Sequence, residues 1–196
     1  MNKEDKDKLY VYESNGILTS RNLTENGIHR GVLQKLVDEG EYYRVTRGVY
    51  VKNDEWEDEF YIIQQRYRRG IFSHDTSLYL NGYSDAIPQV LHLTFPQGYN
   101  APAIYDIKVK ITRTLEKNYL LGKTELKTPS GNTVIAYDIE RSLCDMLRGT
   151  NNDIQVIQPA IKKYIASRDR DINKLLMYSK QLRVEPKVRK YLEVLL

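Results

Sequence analysis

Ile28, Val32, Leu33, Leu36 and Val37 recur at the spacing of one helical face and run into Gly40, which predicts a helix over 30–39. Upstream, 3–14 reads as a helix with Leu9 and Tyr12 on one face and Gly16 as its stop. A short extended piece at Ile17-Leu18 leads into a brief helix over 20–26, capped by Thr19 or Ser20 and ended by Gly27. Two strands follow, over 42–46 and 49–51, with Arg47-Gly48 at the tight turn between them.

The pattern then changes. Trp56, Phe60, Ile63 and Tyr67 stand at i, i+4, i+7 and i+11, predicting a helix capped by Asn53 or Asp54 and ended at Gly70. Ser73 caps a second helix over 74–81, stopped by Gly82. Strands are predicted over 90–95, between Pro88 and Pro96, over 107–113, and over 133–137 after the turn Thr128-Pro129-Ser130-Gly131. In the middle one Ile107, Val109 and Ile111 alternate with Lys108, Lys110 and Thr112. The rest reads as helix: 139–147 behind Asp138, 154–166, 172–182, and 186–196 with Pro186 at its first position. The basic run before Lys52 meets an acidic helix start after it, so the predicted domains are 1–52 and 53–196. The fold class is α+β: an N-terminal winged helix-turn-helix and a C-terminal α+β domain with a small sheet and several helices.

The name for the first domain comes from its order of helix, short helix, tight turn, second helix and two-stranded ribbon in about fifty residues. In such a unit the second helix enters the major groove. Its outward residues here are Arg30, Gly31, Gln34, Lys35 and Asp38. Arg30 and Gln34, one turn apart, suit guanine and adenine edges, and Lys35 suits phosphate. Gly31 lets the helix come close. On the ribbon Arg44, Thr46 and Arg47 suit phosphate or the minor groove, and Thr19, Ser20 and Arg21 at a helix start suit a phosphate. His29, just before the helix and on the buried side of the arc, is expected to cap or pack.

Charge sharpens the picture. The chain carries a formal +4 over 196 residues. From Val156 onward there are ten basic residues against four acidic ones, so the remainder is slightly acidic. Lys163, Arg170, Lys174, Lys187 and Lys190 are therefore candidates for a second DNA-facing stripe, against the plainer reading of a solvated helix face. A single cysteine, Cys144, excludes an internal disulfide and a cysteine cage. That, the charged start MNKEDKDKLY and the lack of a long apolar run lead us to expect a cytoplasmic chain with no membrane partner.

The motif Leu33-x-x-Leu36-Val37-x-x-Gly40, followed by Tyr43-Arg44-Val45-x-Arg47-Gly48-Val49-Tyr50-Val51, resembles the N-terminal domain of AbiEi-type antitoxins. Ser73-His74-Asp75-Thr76-Ser77-Leu78-Tyr79-Leu80-x-Gly82, with Pro88 and His92-Leu93-Thr94, is similar to the start of that family's C-terminal domain. Tyr137-Asp138-x-Glu140-Arg141-Ser142-Leu143-Cys144-Asp145 is similar to a later landmark of it. The resemblance implies the antitoxin half of a bacterial abortive-infection, type IV toxin-antitoxin system. Such a protein represses its own operon by binding inverted repeats in double-stranded DNA. It also counters an AbiEii-type nucleotidyltransferase toxin without a stable complex. It implies no catalytic residue and no cofactor.

Two residue sets suggest enzymatic alternatives. Ser73-His74-Asp75 names the members of a catalytic triad, but consecutive residues are expected to point apart. Asp106 with Glu125-x-Lys127 mimics a magnesium-dependent nuclease, yet such triplets arise by chance in a chain with 29% charged residues. Three scattered histidines make a zinc site an unattractive reading. A repressor with a ligand-sensing second domain is the other alternative.

Overall fold

A computed structural model describes residues 3–100, 109–149 and 154–195, with side chains from Asp7 onward. The fold is mixed α+β, with ten helices and two sheets among the described residues. It divides into two compact units, residues 1–68 with 127–133, and residues 69–126 with 134–196.

The first unit runs α1 (Lys3–Tyr10), β1 (Ile17–Thr19), α2 (Ser20–Glu25), α3 (Gly31–Asp38), β2 (Tyr42–Thr46), β3 (Val49–Lys52) and α4 (Glu59–Arg66). Its antiparallel sheet has the order β1-β3-β2, with Ile17 opposite Val51 and Tyr43 opposite Val51. Strand alternation divides the apolar residues between two faces. Leu18 and Tyr50 join Leu9, Leu23, Leu33, Leu36 and Tyr42 on one side. Ile17, Val49 and Val51 join Ile62 of α4 on the other.

That second face corrects the predicted boundary after Lys52. Ending the unit there would uncover Ile17, Val49 and Val51, each stabilised by roughly 1.5–3 kcal/mol when fully buried. The predicted start of the following helix shifts as well. Trp56 is 92% exposed and lies outside α4, whose N-cap is Asp58, accepting from the Tyr61 N–H at 3.1 Å. Asp58 also accepts from Thr128 Oγ1 at 2.5 Å and Asn132 Nδ2 at 2.8 Å, which ties the 127–133 turn into this unit. Asp58→Ala would remove a cap and leave two buried donors without an acceptor. The expected loss is about 2–4 kcal/mol, read as a lower melting temperature of the first unit by circular dichroism.

The second unit contains β4 (Ile71–Phe72), α5 (His74–Leu80), β5 (Leu91–Pro96), β6 (Val109–Thr114), α6 (Glu116–Tyr119), β7 (Lys123–Lys127), β8 (Thr133–Tyr137), α7 (Ile139–Arg148), α8 (Ile154–Ala166), α9 (Ile172–Gln181) and α10 (Glu185–Leu195). The sheet order is β6-β5-β4-β8-β7. β4 pairs antiparallel with β5 and parallel with β8, and β5 pairs parallel with β6. Every residue of β5 is buried, as expected of an inner strand covered on both faces.

α7 is the spine of the helical layer. It packs against α5, α8, α9 and α10, and its residues from Glu140 to Leu147 are all buried. Ser77 Oγ donates to Ser142 Oγ at 2.6 Å across the α5–α7 contact, where two small side chains let the helices come close. The pattern reading had no strand at Ile71–Phe72 or at Lys123–Lys127 and no helix at Glu116–Tyr119. Asp106, Ile107 and Lys108 lie outside the described residues. No helix among the described residues is long and apolar enough to cross a membrane.

Candidate nucleic-acid interface

In the first unit the start of α3, the first residue of α2 and the β2–β3 ribbon border an open groove of about 600 Å³. Arg30, Gly31 and Gln34 form one wall, and Arg44, Arg47, Gly48 and Tyr50 the other. Ser20 and His29 complete it. Three arginines and no carboxylate line the groove, so its potential is positive. Two glycines shape it. Gly48 turns the ribbon at φ +78°, and a Cβ there would lie 2.6 Å from Ser20 Oγ. A Cβ on Gly31 would lie 2.9 Å from His29 Nδ1.

Five residues singled out for DNA contact are thus brought together: Ser20, Arg30, Gln34, Arg44 and Arg47. The side chains of Arg30 and Arg47 are exposed and have no partner among the described residues. Gln34 Nε2 donates to Asp38 Oδ1 at 2.9 Å, which steadies the amide along α3. Arg44 is exposed, and its Nε donates to the Thr46 carbonyl at 3.3 Å.

Four others fall elsewhere. Thr19 is buried outside the groove's lining, its hydroxyl accepting from the Asn22 N–H at 3.1 Å as the cap of α2. Arg21 is exposed but pairs with Glu25 one turn on. Thr46 accepts from Arg66 Nη1 at 3.1 Å. Lys35 is exposed on α3 outside the groove. His29 was expected on the buried side. It is exposed and lines the groove, and its Nδ1 accepts from the Gly31 N–H at 3.1 Å. The capping role is there; the buried position is not. An apolar-arc argument stops at the helix start, where the chain turns outward.

Four of the five basic C-terminal side chains already have partners within the second unit. Lys174 Nζ bridges Asp138 at 3.1 Å and Glu140 at 3.0 Å at the start of α7, and these two carboxylates hold its ammonium above the usual lysine range against the effect of burial. Lys187 Nζ donates to the Leu147 carbonyl at 2.8 Å, and with Lys190 it borders an apolar groove of about 490 Å³ beside Met146, Leu147 and Tyr191. Lys163 lies 3.9 Å from Asp85, both exposed. Arg170 Nη1 donates to the Ser167 carbonyl at 2.9 Å.

No protein-family model and no curated protein sequence matches the chain. Among solved structures it is similar to the crystal structure of the RV2827C protein from Mycobacterium tuberculosis, with a TM-score of 0.54 and 15% sequence identity. The match covers 84% of this chain and 66% of that one. The likeness is one of fold.

The second unit holds a buried polar cluster that sequence reasoning took apart. Ser73 Oγ and His74 Nδ1 are 3.0 Å apart, so these neighbours do meet, contrary to expectation. His74 achieves this at φ +55°, a backbone region that L-residues rarely occupy. No relay results. Asp75 accepts from the Thr76 N–H instead, and Ser73 is fully buried, accepting from Thr94 Oγ1 at 2.9 Å. The His74 ring stacks on His92, with centroids 3.7 Å apart and planes at 7°. His92 Nε2 lies 2.7 Å from Thr112 Oγ1. Glu125 is exposed and Lys127 Nζ donates to Thr133 Oγ1. No cluster of three or more metal-ligating side chains occurs among the described residues.

Proposed function

We propose that the chain is a non-enzymatic, DNA-binding autorepressor whose first unit is a winged helix-turn-helix. On the resemblance of its motifs, it is the antitoxin of a type IV abortive-infection system. The observation that carries the DNA-binding part is the single groove lined by Ser20, Arg30, Gln34, Arg44 and Arg47, with no carboxylate among its lining residues. The element order α1-β1-α2-α3-β2-β3 and the sheet order β1-β3-β2 support it, since this order presents one helix beside a hairpin ribbon. α3 reads base edges in an inverted repeat while the ribbon grips the backbone. The second unit counters an AbiEii-type nucleotidyltransferase toxin.

The test is a mobility-shift titration of the whole chain on duplex DNA from its own promoter. Arg30→Ala should cost about 1–3 kcal/mol on the preferred sequence and relax preference at one position. Arg47→Ala should weaken binding to all duplexes alike and lower the slope of log affinity against log salt by roughly 0.9. No binding to promoter DNA at low salt would remove the repressor reading. Failure to rescue cells that co-express the neighbouring toxin would remove the antitoxin reading.

One observation favours a second reading, a ligand-sensing repressor. The groove beside Met146, Leu147 and Tyr191 has an apolar floor and two lysines, a composition suited to a small amphipathic acid. Release of promoter DNA on addition of such an acid would support it.

A further inference from the structure

We propose that the groove of the first unit seats one phosphodiester of the DNA backbone, held by His29 through Nε2–H in a tautomer that the Gly31 N–H selects. The proposal rests on the DNA-binding reading and assigns the ligand chemistry of that site.

The tautomer follows from one hydrogen bond. The Gly31 N–H donates to His29 Nδ1 at 3.1 Å, so Nδ1 presents its lone pair and the proton of the neutral ring sits on Nε2. The ring can fold back onto the first turn of α3 only because residue 31 has no side chain. A Cβ there would stand 2.9 Å from Nδ1 and 3.1 Å from Cε1. The ring is exposed, it lines the groove, and Nε2 has no partner among the described residues.

The first amides of α3 are already engaged. Gly31 N–H meets the imidazole, Val32 N–H the His29 carbonyl, and Leu33 N–H the Arg30 carbonyl. An anion in the groove therefore meets Nε2–H in place of the bare helix start. The imidazole passes the helix's donor character outward, and the bond at Nδ1 strengthens the donor at Nε2. Shape and charge select the ligand. Arg30, Arg44 and Arg47 surround the concavity without a carboxylate. A concave seat between a helix start and a ribbon suits the strand of backbone between the two grooves that those elements approach. Base edges are reached by projecting side chains.

The first measurement is the ring's nitrogen-15 NMR pattern in the free chain, well above the imidazole titration range. The expected result is the Nε2–H tautomer; an Nδ1–H pattern overturns the proposal. The second is a mobility shift at the same pH, on promoter DNA and on an unrelated duplex, across a range of salt. His29→Ala should lose about tenfold on both duplexes, as for a hydrogen bond to a charged acceptor. Its salt slope should stay unchanged, because a neutral donor displaces no counterion. His29→Gln, whose amide nitrogen reaches the same place, should keep most of the affinity. Gly31→Ala should lose as much as His29→Ala, with no further loss when the two are combined, and circular dichroism checks that it folds. A loss confined to promoter DNA would make His29 a base reader and overturn the phosphodiester assignment. Unchanged affinity in His29→Ala would overturn it too. Failure of the unaltered chain to bind either duplex would sink the DNA-binding reading itself, whereas failure of His29 alone leaves the Arg47→Ala effect in place.

Discussion

Replacing Arg141 by alanine should destabilise the second unit by about 3–5 kcal/mol, a large part of the roughly 5–15 kcal/mol that holds a typical domain together. Arg141 is 1% exposed. Its Nε donates to Asp145 Oδ2 at 3.0 Å, and its Nη1 to the carbonyls of Asn118 and, at 2.9 Å, Leu121. The Tyr137 ring lies 4.1 Å from its central carbon. One side chain thus joins α7 to the chain around α6 and to the last residue of β8. Burial is the larger influence on the Asp145 carboxyl and pushes its pKa up, with Arg141 pulling it back. Without Arg141 the carboxyl stays buried with only the weaker influence of Arg148 to offset burial, and two inward carbonyls lose their donor. Arg141→Lys should recover little, since a compact ammonium cannot serve a carboxylate and two carbonyls from one plane or stack on a ring. Arg141→Met combined with Asp145→Leu should recover most of the loss, because it removes the buried charges together. Urea denaturation followed by circular dichroism measures all three. A cost below about 1 kcal/mol for Arg141→Ala would mean that water reaches Asp145.

This network bears on what could be read without coordinates. Periodicity found α8 at Ile154–Ala166 and β8 at Thr133–Tyr137 with their bounds, because each carries several turns or alternations of apolar residues. It could not find β4, whose two residues, Ile71 and Phe72, are too few to show a period. α6 and β7 were missed for a related reason: one is a single turn, and the other, Lys-Thr-Glu-Leu-Lys, has one apolar residue. At the site, outward positions on α3 and basic positions on the ribbon were enough to gather Arg30, Gln34, Arg44 and Arg47. The capping of His29 was read, but its exposed place in the groove was not, because the apolar arc that placed it inward ends at the helix start. Thr19 was read both as a cap and as a phosphate contact because a capping hydroxyl and a phosphate-binding hydroxyl occupy the same place in a sequence; the structure shows the cap. Charge counting did not show that Lys174 and Lys187 turn back to partners of their own unit, for a general reason. A long cationic side chain can bend back to carboxylates or a carbonyl of its own domain, and sequence gives its reach but not its direction.

Acidification from pH 6.5 to 4.5 should cost the second unit up to about 5 kcal/mol, through the stacked pair His74 and His92. Burial is the main cause of a depressed pKa in both, taking His74 down to about 3 and His92 to about 2. Lys110 pushes both the same way, Arg141 and Arg148 add to the effect on His74, and His74 adds to that on His92. The unfolded chain takes up these two protons near pH 6.5 while the folded chain does not. The stability is therefore fully present above that pH and is lost as pH falls toward the folded values. Each histidine contributes a slope that is about half of its limit at pH 6.5 and approaches that limit, about 1.4 kcal/mol per pH unit, lower in the window. Asp75 acts in the opposite sense. Burial raises its carboxyl, so the folded state gains a proton early and offsets part of the loss at the acid end. The upper part of the window, from about pH 6.5 to 5.5, reports the histidines most cleanly, since ordinary carboxylates titrate below it. His74→Phe keeps a ring on the stack and His92→Gln keeps an amide toward Thr112, and neither new side chain titrates. Each variant should halve the slope of unfolding free energy against pH in that range, and the two together should flatten it. If the unaltered chain is as stable at pH 5.5 as at 7.5, or both variants keep its slope, the imidazoles are not held neutral by the fold and His74 and His92 meet water freely.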